Sequence, residues 1–144
     1  MKYHFKIHKE KNGGYWAESM EPNLNANTQA DTMEELMKNM KEVLELCLEE
    51  PNESNYIPPM PDPTIKGRNI VEISPDPKIA LAALIRKERL EAKWTQRETA
   101  TRLGIKHVSQ YQRLESGKTV NAEFGTLVKL KKAFPDFSVD EALS

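Results

Sequence analysis

The sequence predicts an α+β protein in two parts, a small sheet-and-helix domain followed by an all-helical one. Three observations predict it. Residues 2 to 8 alternate apolar and polar with a period of two, which is the signature of a half-buried strand. From Lys78 onward the apolar spacing becomes helical. The charge divides along the same line. Residues 78–134 hold 13 Lys and Arg against 5 Asp and Glu, a net +8, whereas residues 1–50 carry −4, 51–77 carry −2 and the last ten −3, inside a chain of net −1.

In the first part, Tyr3, Phe5 and Ile7 share one strand face and His4, Lys6 and His8 the other. Lys11-Asn12-Gly13-Gly14 is a turn, because Asn and Gly tolerate positive φ. Tyr15 to Met20 is the second strand of a hairpin, Glu21 to Asn25 breaks it, and Asn27 to Ala30 is a short third strand. A helix starts at Asp31 to Glu35, where Thr32 and Glu35 have capping-box spacing. Its apolar face is Leu36, Met40, Val43, Leu44, Cys47 and Leu48, with Met37 and Met40 as core filler, and it ends near Glu50 before Pro51. Residues 51–64 hold five prolines and cannot be helix interior. Residues 51–67 therefore form a Pro-rich connection, and Arg68 to Ile73 is a fourth strand closed by Ser74-Pro75-Asp76-Pro77. The domains are expected at 1–77 and 78–144.

The second part starts with a helix to about Glu91 carrying Ile79, Leu81, Leu84, Ile85 and Leu90. Thr95-Gln96-Arg97-Glu98 is a second capping box, opening a short helix to Leu103. Gly104 supplies the left-handed stop. A third helix runs from about His107 to Glu115, and a fourth from Phe124 to Phe134 with Leu127, Leu130 and Phe134 inward. Ser138 to Glu141 caps a last short helix. Two short helices around a glycine turn, with Ala100 at their contact and Ile105, Tyr111 and Leu114 on the buried side, make a helix-turn-helix.

Residues 79–134 resemble the phage-repressor-type (XRE-like) helix-turn-helix family. The resemblance implies double-stranded operator DNA as partner. Gln96 would touch a phosphate at a helix start, and Lys118 would touch the backbone from the following loop. Arg89 would pair with Glu115 inside the domain. Lys106, His107, Ser109, Gln110, Gln112 and Arg113 would supply the base-reading edge, where Arg suits guanine and Gln adenine. The chain departs from the family by one extra residue between Gly104 and Tyr111, which leaves the register of residues 105–110 open and anchors Gln112 and Arg113. For His107, capping or a solvated ring stands beside base contact.

Residues 2–77 resemble the HicB antitoxin family. The likeness rests on Gly13-Gly14-Tyr15-Trp16-Ala17-Glu18, on Thr28 to Leu36, on Leu44 to Glu50, on Ile57-Pro58-Pro59 and on Ile70 to Ser74. Asn25-Ala26-Asn27 stands where the family has Pro-Gly-Cys. The resemblance implies a partial ribonuclease-H-like βββαβ fold without the activity, and a HicA-type mRNA-cleaving toxin as partner. Trp16 would anchor that contact, unless it simply packs inward. Glu18, Glu21 and Asp31 are candidates to meet the toxin's cations, unless they are merely solvated.

Catalysis is not expected. Two-metal nuclease chemistry needs clustered carboxylates, and residues 2–9 contain none. His4 and His8 lie about 13 Å apart along a strand, too far to chelate one metal alone. No cofactor is implied. The lone Cys47 offers no internal disulfide, and no apolar run is long enough to span a bilayer. A cytoplasmic antitoxin and autorepressor, acting as a homodimer or higher homo-oligomer, is the expected function. The alternative is a regulator whose N-terminal domain senses a small molecule.

Overall fold

The structure, a computed structural model, describes residues 1–49, 54–117 and 120–144. The chain is α+β and divides into two compact units. One comprises Met1–Leu48 with Pro58–Pro75, the other Glu49–Ile57 with Asp76–Ser144. The first holds β1 (Tyr3–Lys9), β2 (Tyr15–Ser19), β3 (Asn27–Ala30), α1 (Met33–Leu48) and β4 (Ile70–Ile73). The second holds α2 (Pro77–Glu91), α3 (Gln96–Arg102), α4 (Val108–Leu114), α5 (Phe124–Ala133) and α6 (Val139–Leu143).

The four strands form one antiparallel sheet in the order β3-β2-β1-β4. Gly13 turns the β1–β2 hairpin at φ +102°, where a side chain would be strained. The register sets Phe5 opposite Ser19 and Ile7 opposite Ala17, and places Tyr3 opposite Ile73. This face is apolar, and Tyr3, Phe5 and Ala17 are fully buried. Helix α1 packs along β2 and β3. Its buried stripe, Leu36, Met40, Leu44 and Leu48, repeats every four residues. The Thr32 hydroxyl accepts from the Glu35 amide at 3.2 Å and starts the helix. Met37, expected as core filler, is 40% exposed, because it lies one position off the stripe.

In the helical unit, the Asp76 carboxylate caps α2 through the Lys78 amide at 2.8 Å, and Pro77 opens the helix without wasting a donor. The core gathers Ile79, Leu84 and Ile85 of α2, Ala100 and Leu103, Tyr111 and Leu114, Leu130 and Phe134. Leu127, expected inward, is half-buried.

Candidate nucleic-acid interface and open sheet face

Helix α3 is set by its cap. The Thr95 hydroxyl accepts from the Glu98 amide at 3.0 Å, and the Glu98 carboxylate returns to the Thr95 amide at 3.4 Å. The chain then turns at Gly104, φ +72°, and the Ile105 amide donates back to Ala100 O at 2.8 Å. Buried Ala100 lets the paired helices approach closely. Helix α4 starts after His107, which has extended backbone and makes no side-chain cap bond. Tyr111 and Leu114 face the core, which fixes the opposite side. Lys106, His107, Ser109, Gln110 and Arg113 are all exposed there. Lys118 lies outside the described residues.

A buried polar chain holds this pair of helices. Glu115, at the end of α4, accepts from Arg89 Nε and, at 3.2 Å, from Nη2. The remaining arm of Arg89 donates to Trp94 O at 3.1 Å. The Tyr111 hydroxyl donates to Glu115 at 2.6 Å. Burial opposes the Arg89 charge, but the hydrogen bond and charge of Glu115 outweigh it and raise its pKa above the usual value. Burial, then the charge of Glu115, pushes the Tyr111 phenol well above its ordinary range.

The chain continues outward. Gln96 Nε2 donates to Glu115 at 3.0 Å, and Gln112 Nε2 donates to Gln96 Oε1 at 3.0 Å. Gln96 and Gln112 are therefore brought together, and neither amide is a loose surface group. Gln96 keeps one amide hydrogen that the bond to Glu115 does not use. Gln112 keeps Oε1 and one amide hydrogen, the acceptor–donor pair that matches an adenine edge. Sequence reasoning missed this link, since the two residues lie sixteen apart. It also missed Trp94. That ring carries the Arg102 guanidinium 4.1 Å above it and lies 5.2 Å from the Phe134 ring. The only local signal was an aromatic directly before a capping box.

In the first unit the expected toxin-facing residues separate. Trp16 and Glu18 share the sheet face opposite α1, together with Lys6 and His8. His8 stacks on Trp16 at 3.9 Å and 12° between planes, and its Nε2 lies 3.1 Å from Glu18. Trp16 is thus half-exposed on a polar face and does not pack inward. Glu21 is only 2% exposed. One of its oxygens accepts from the His4 amide at 3.1 Å; the other meets His4 Nδ1 at 2.7 Å and the Asp62 amide at 3.4 Å. Both oxygens are used inside the fold, so Glu21 presents no charge to a partner. The same contact buries His4, whose strand alternation points it outward. Asp31 is exposed on a polar groove of about 480 Å³ with Glu10, Glu35 and Asn39, two residues beyond Gln29, which pairs with Trp16. Among the described residues no His, Cys, Asp and Glu gather to hold a metal ion. No described helix is long and apolar enough to cross a membrane.

Residues 85–141 match the helix-turn-helix family model, within the helical unit. No curated protein matches the chain. This part of the chain is a DNA-binding helix-turn-helix domain of the transcription-regulator kind. The match takes in α3, the Gly104 turn and α4, with Glu115 and its partners Arg89, Gln96 and Tyr111.

Proposed function

We propose that the protein is an antitoxin and autorepressor: the helical unit binds operator DNA, and the sheet unit binds and neutralises a HicA-type toxin. The observation that carries the DNA half is the exposed side of α4. Ser109, Gln110 and Arg113 are exposed on it and Lys106 and His107 just before it, while Arg89, Glu115 and Gln96 hold α4 and orient Gln112 beside them. The positive balance of residues 78–134 supplies the attraction to phosphate. One such helix reads few base pairs, so a dimer on a palindromic site follows.

The toxin half is supported by the resemblance of residues 2–77, whose most specific stretch, Thr28 to Glu35, runs through β3 and the Thr32 cap. The net −4 of residues 1–50 complements a small basic protein. Trp16, held flat by His8 and beside Glu18, is a rigid aromatic with an adjoining carboxylate, the chemistry that anchors a cationic partner. The protein acts by binding, without catalysis or a cofactor.

Two assays on one variant test both halves. Arg113→Ala is expected to weaken binding to DNA from upstream of its own reading frame by about 1–3 kcal/mol. A tagged copy expressed from its native locus still brings down a small basic protein. Capture of no such protein would remove the toxin half. If a metabolite then altered DNA binding, the ligand-sensing regulator would replace it. Unchanged gel shifts for Arg113→Ala would remove α4 as the reading surface.

A further inference from the structure

The sheet treats its two edges differently. At one edge, α1 lies beside β3, and the Asn39 side-chain amide donates to Gln29 O at 3.0 Å. At the other edge, β4 has a neighbouring strand on one side only. The ladder fixes which groups of β4 look outward. The Ile7 amide donates to Asn69 O at 2.8 Å, so Asn69, Val71 and Ile73 turn their main-chain groups toward β1. Ile70 and Glu72 turn theirs away from the sheet, about 7 Å apart along the strand. Among the described residues, neither main chain makes a hydrogen bond on that side. The Glu72 side chain is 58% exposed, and Lys2 meets it only loosely, at 3.9 Å. Such an edge is a template for another extended chain.

We infer that the outer edge of β4 takes an extended segment of the basic partner protein as a further strand, with a Lys or Arg of that segment opposite Glu72. This deepens the toxin-binding reading above and rests on it. A second copy of this chain fits the edge poorly. A closed pair must be two-fold, so β4 would lie antiparallel to itself. Centred on Glu72, it sets two carboxylates face to face. Centred on Ile70, it needs an extended Asn69, but Asn69 sits at φ +63° and ends the strand. Centred on Val71, it sets Ile70 against the other copy's Glu72, an apolar side chain against a charge, twice over. A basic segment carrying a cation and, two residues along, an apolar side chain satisfies both positions instead.

The edge is continuous with the face already assigned to that partner. Lys6 pairs with Ile70 on one side and with Glu18 on the other, so Ile70 and Glu72 share the face of Trp16 and Glu18. A strand added beyond β4 widens that face, and the same partner reaches Trp16 across it. Main-chain bonds through Ile70 and Glu72 then supply the alignment, because each residue brings one donor and one acceptor. Glu72 and the Trp16–Glu18 pair supply the choice of partner.

Amide hydrogen exchange on the full chain tests this, free and in complex with the small basic protein encoded beside its reading frame. In the free chain the Ile70 and Glu72 amides exchange fast, and those of Val71 and Ile73 slowly. In the complex the first two slow by about tenfold or more. Glu72→Pro removes an outward donor and spares the ladder to β1, as proline on an edge strand does. It raises the dissociation constant by about tenfold or more, whereas Glu72→Ala, which keeps the donor, costs less. The thermal midpoint of Glu72→Pro reports whether its sheet is intact; if it is not, the exchange measurement on the wild type decides. No complex at all overturns the toxin-binding reading and this inference together. A complex in which Ile70 and Glu72 still exchange fast, or which a folded Glu72→Pro forms as tightly, overturns the edge alone. Protection that appears in the free chain as its concentration rises overturns it too, and assigns the edge to a second copy.

Discussion

Replacing Glu115 with Ala tests what holds α4 in place. Arg89 and Glu115 are 5% and 4% exposed, so both charges have left water. At an effective dielectric near 20, opposite charges about 4 Å apart attract by roughly 4 kcal/mol. Without Glu115 the guanidinium loses its carboxylate and keeps the neutral Trp94 O, and Tyr111 loses its carboxylate acceptor. Removing one partner of a buried pair costs about 3–5 kcal/mol, a large part of the 5–15 kcal/mol that stabilises a typical domain. With a urea slope of about 1.5 kcal/mol per molar, the unfolding midpoint falls by roughly 2–3 M. Trp94 fluorescence reports this unit, in a Trp16→Phe background that silences the sheet unit. The double variant Arg89→Met, Glu115→Leu removes both charges and recovers much of the loss, because no uncompensated ion remains. A midpoint for Glu115→Ala within about 0.5 M of wild type would refute the reasoning, and so would a double variant no more stable than the single one.

Two further changes probe the same region. Tyr111→Phe removes a hydrogen bond to a carboxylate and costs about 1.5–3 kcal/mol at neutral pH. The phenol pKa is raised on folding, so its contribution is complete below the usual value of 10.0 and is lost as pH climbs toward the folded value. Urea midpoints of wild type above pH 10 should therefore fall more steeply than those of the Phe variant, and parallel curves would count against the buried phenol. Gly104→Ala places a side chain at φ +72° with no steric neighbour, so the cost is backbone strain alone, about 1–2 kcal/mol. Gly104→Asn should recover part of it in thermal unfolding, and an Ala variant as stable as wild type would mean the turn is not left-handed.

Local chemistry made much of the architecture legible. Period-two alternation marked β1, the Asn-Gly-Gly turn marked the hairpin, and a Thr32 cap and a full Thr95–Glu98 capping box marked the starts of α1 and α3. Each of these signals lies within about four residues of the structure it sets, which is the range over which backbone hydrogen bonds and side-chain faces act. Segment charge likewise singled out the DNA-binding half, because a count needs no geometry. The sequence by itself therefore determined the two-part α+β organisation, the helix-turn-helix and the exposed polar side of its second helix. Only the tertiary structure decided where certain polar groups went. His4 alternates as an outward residue, yet Glu21, seventeen residues on, folds over it and encloses both. Gln96 reads as a loose phosphate contact, yet Glu115 and Gln112 take up its amide from another helix. Trp16 could have faced either way until its pairing with His8 fixed the register. In each case the partner is distant in sequence, and a buried polar group must find its partner wherever the fold brings one.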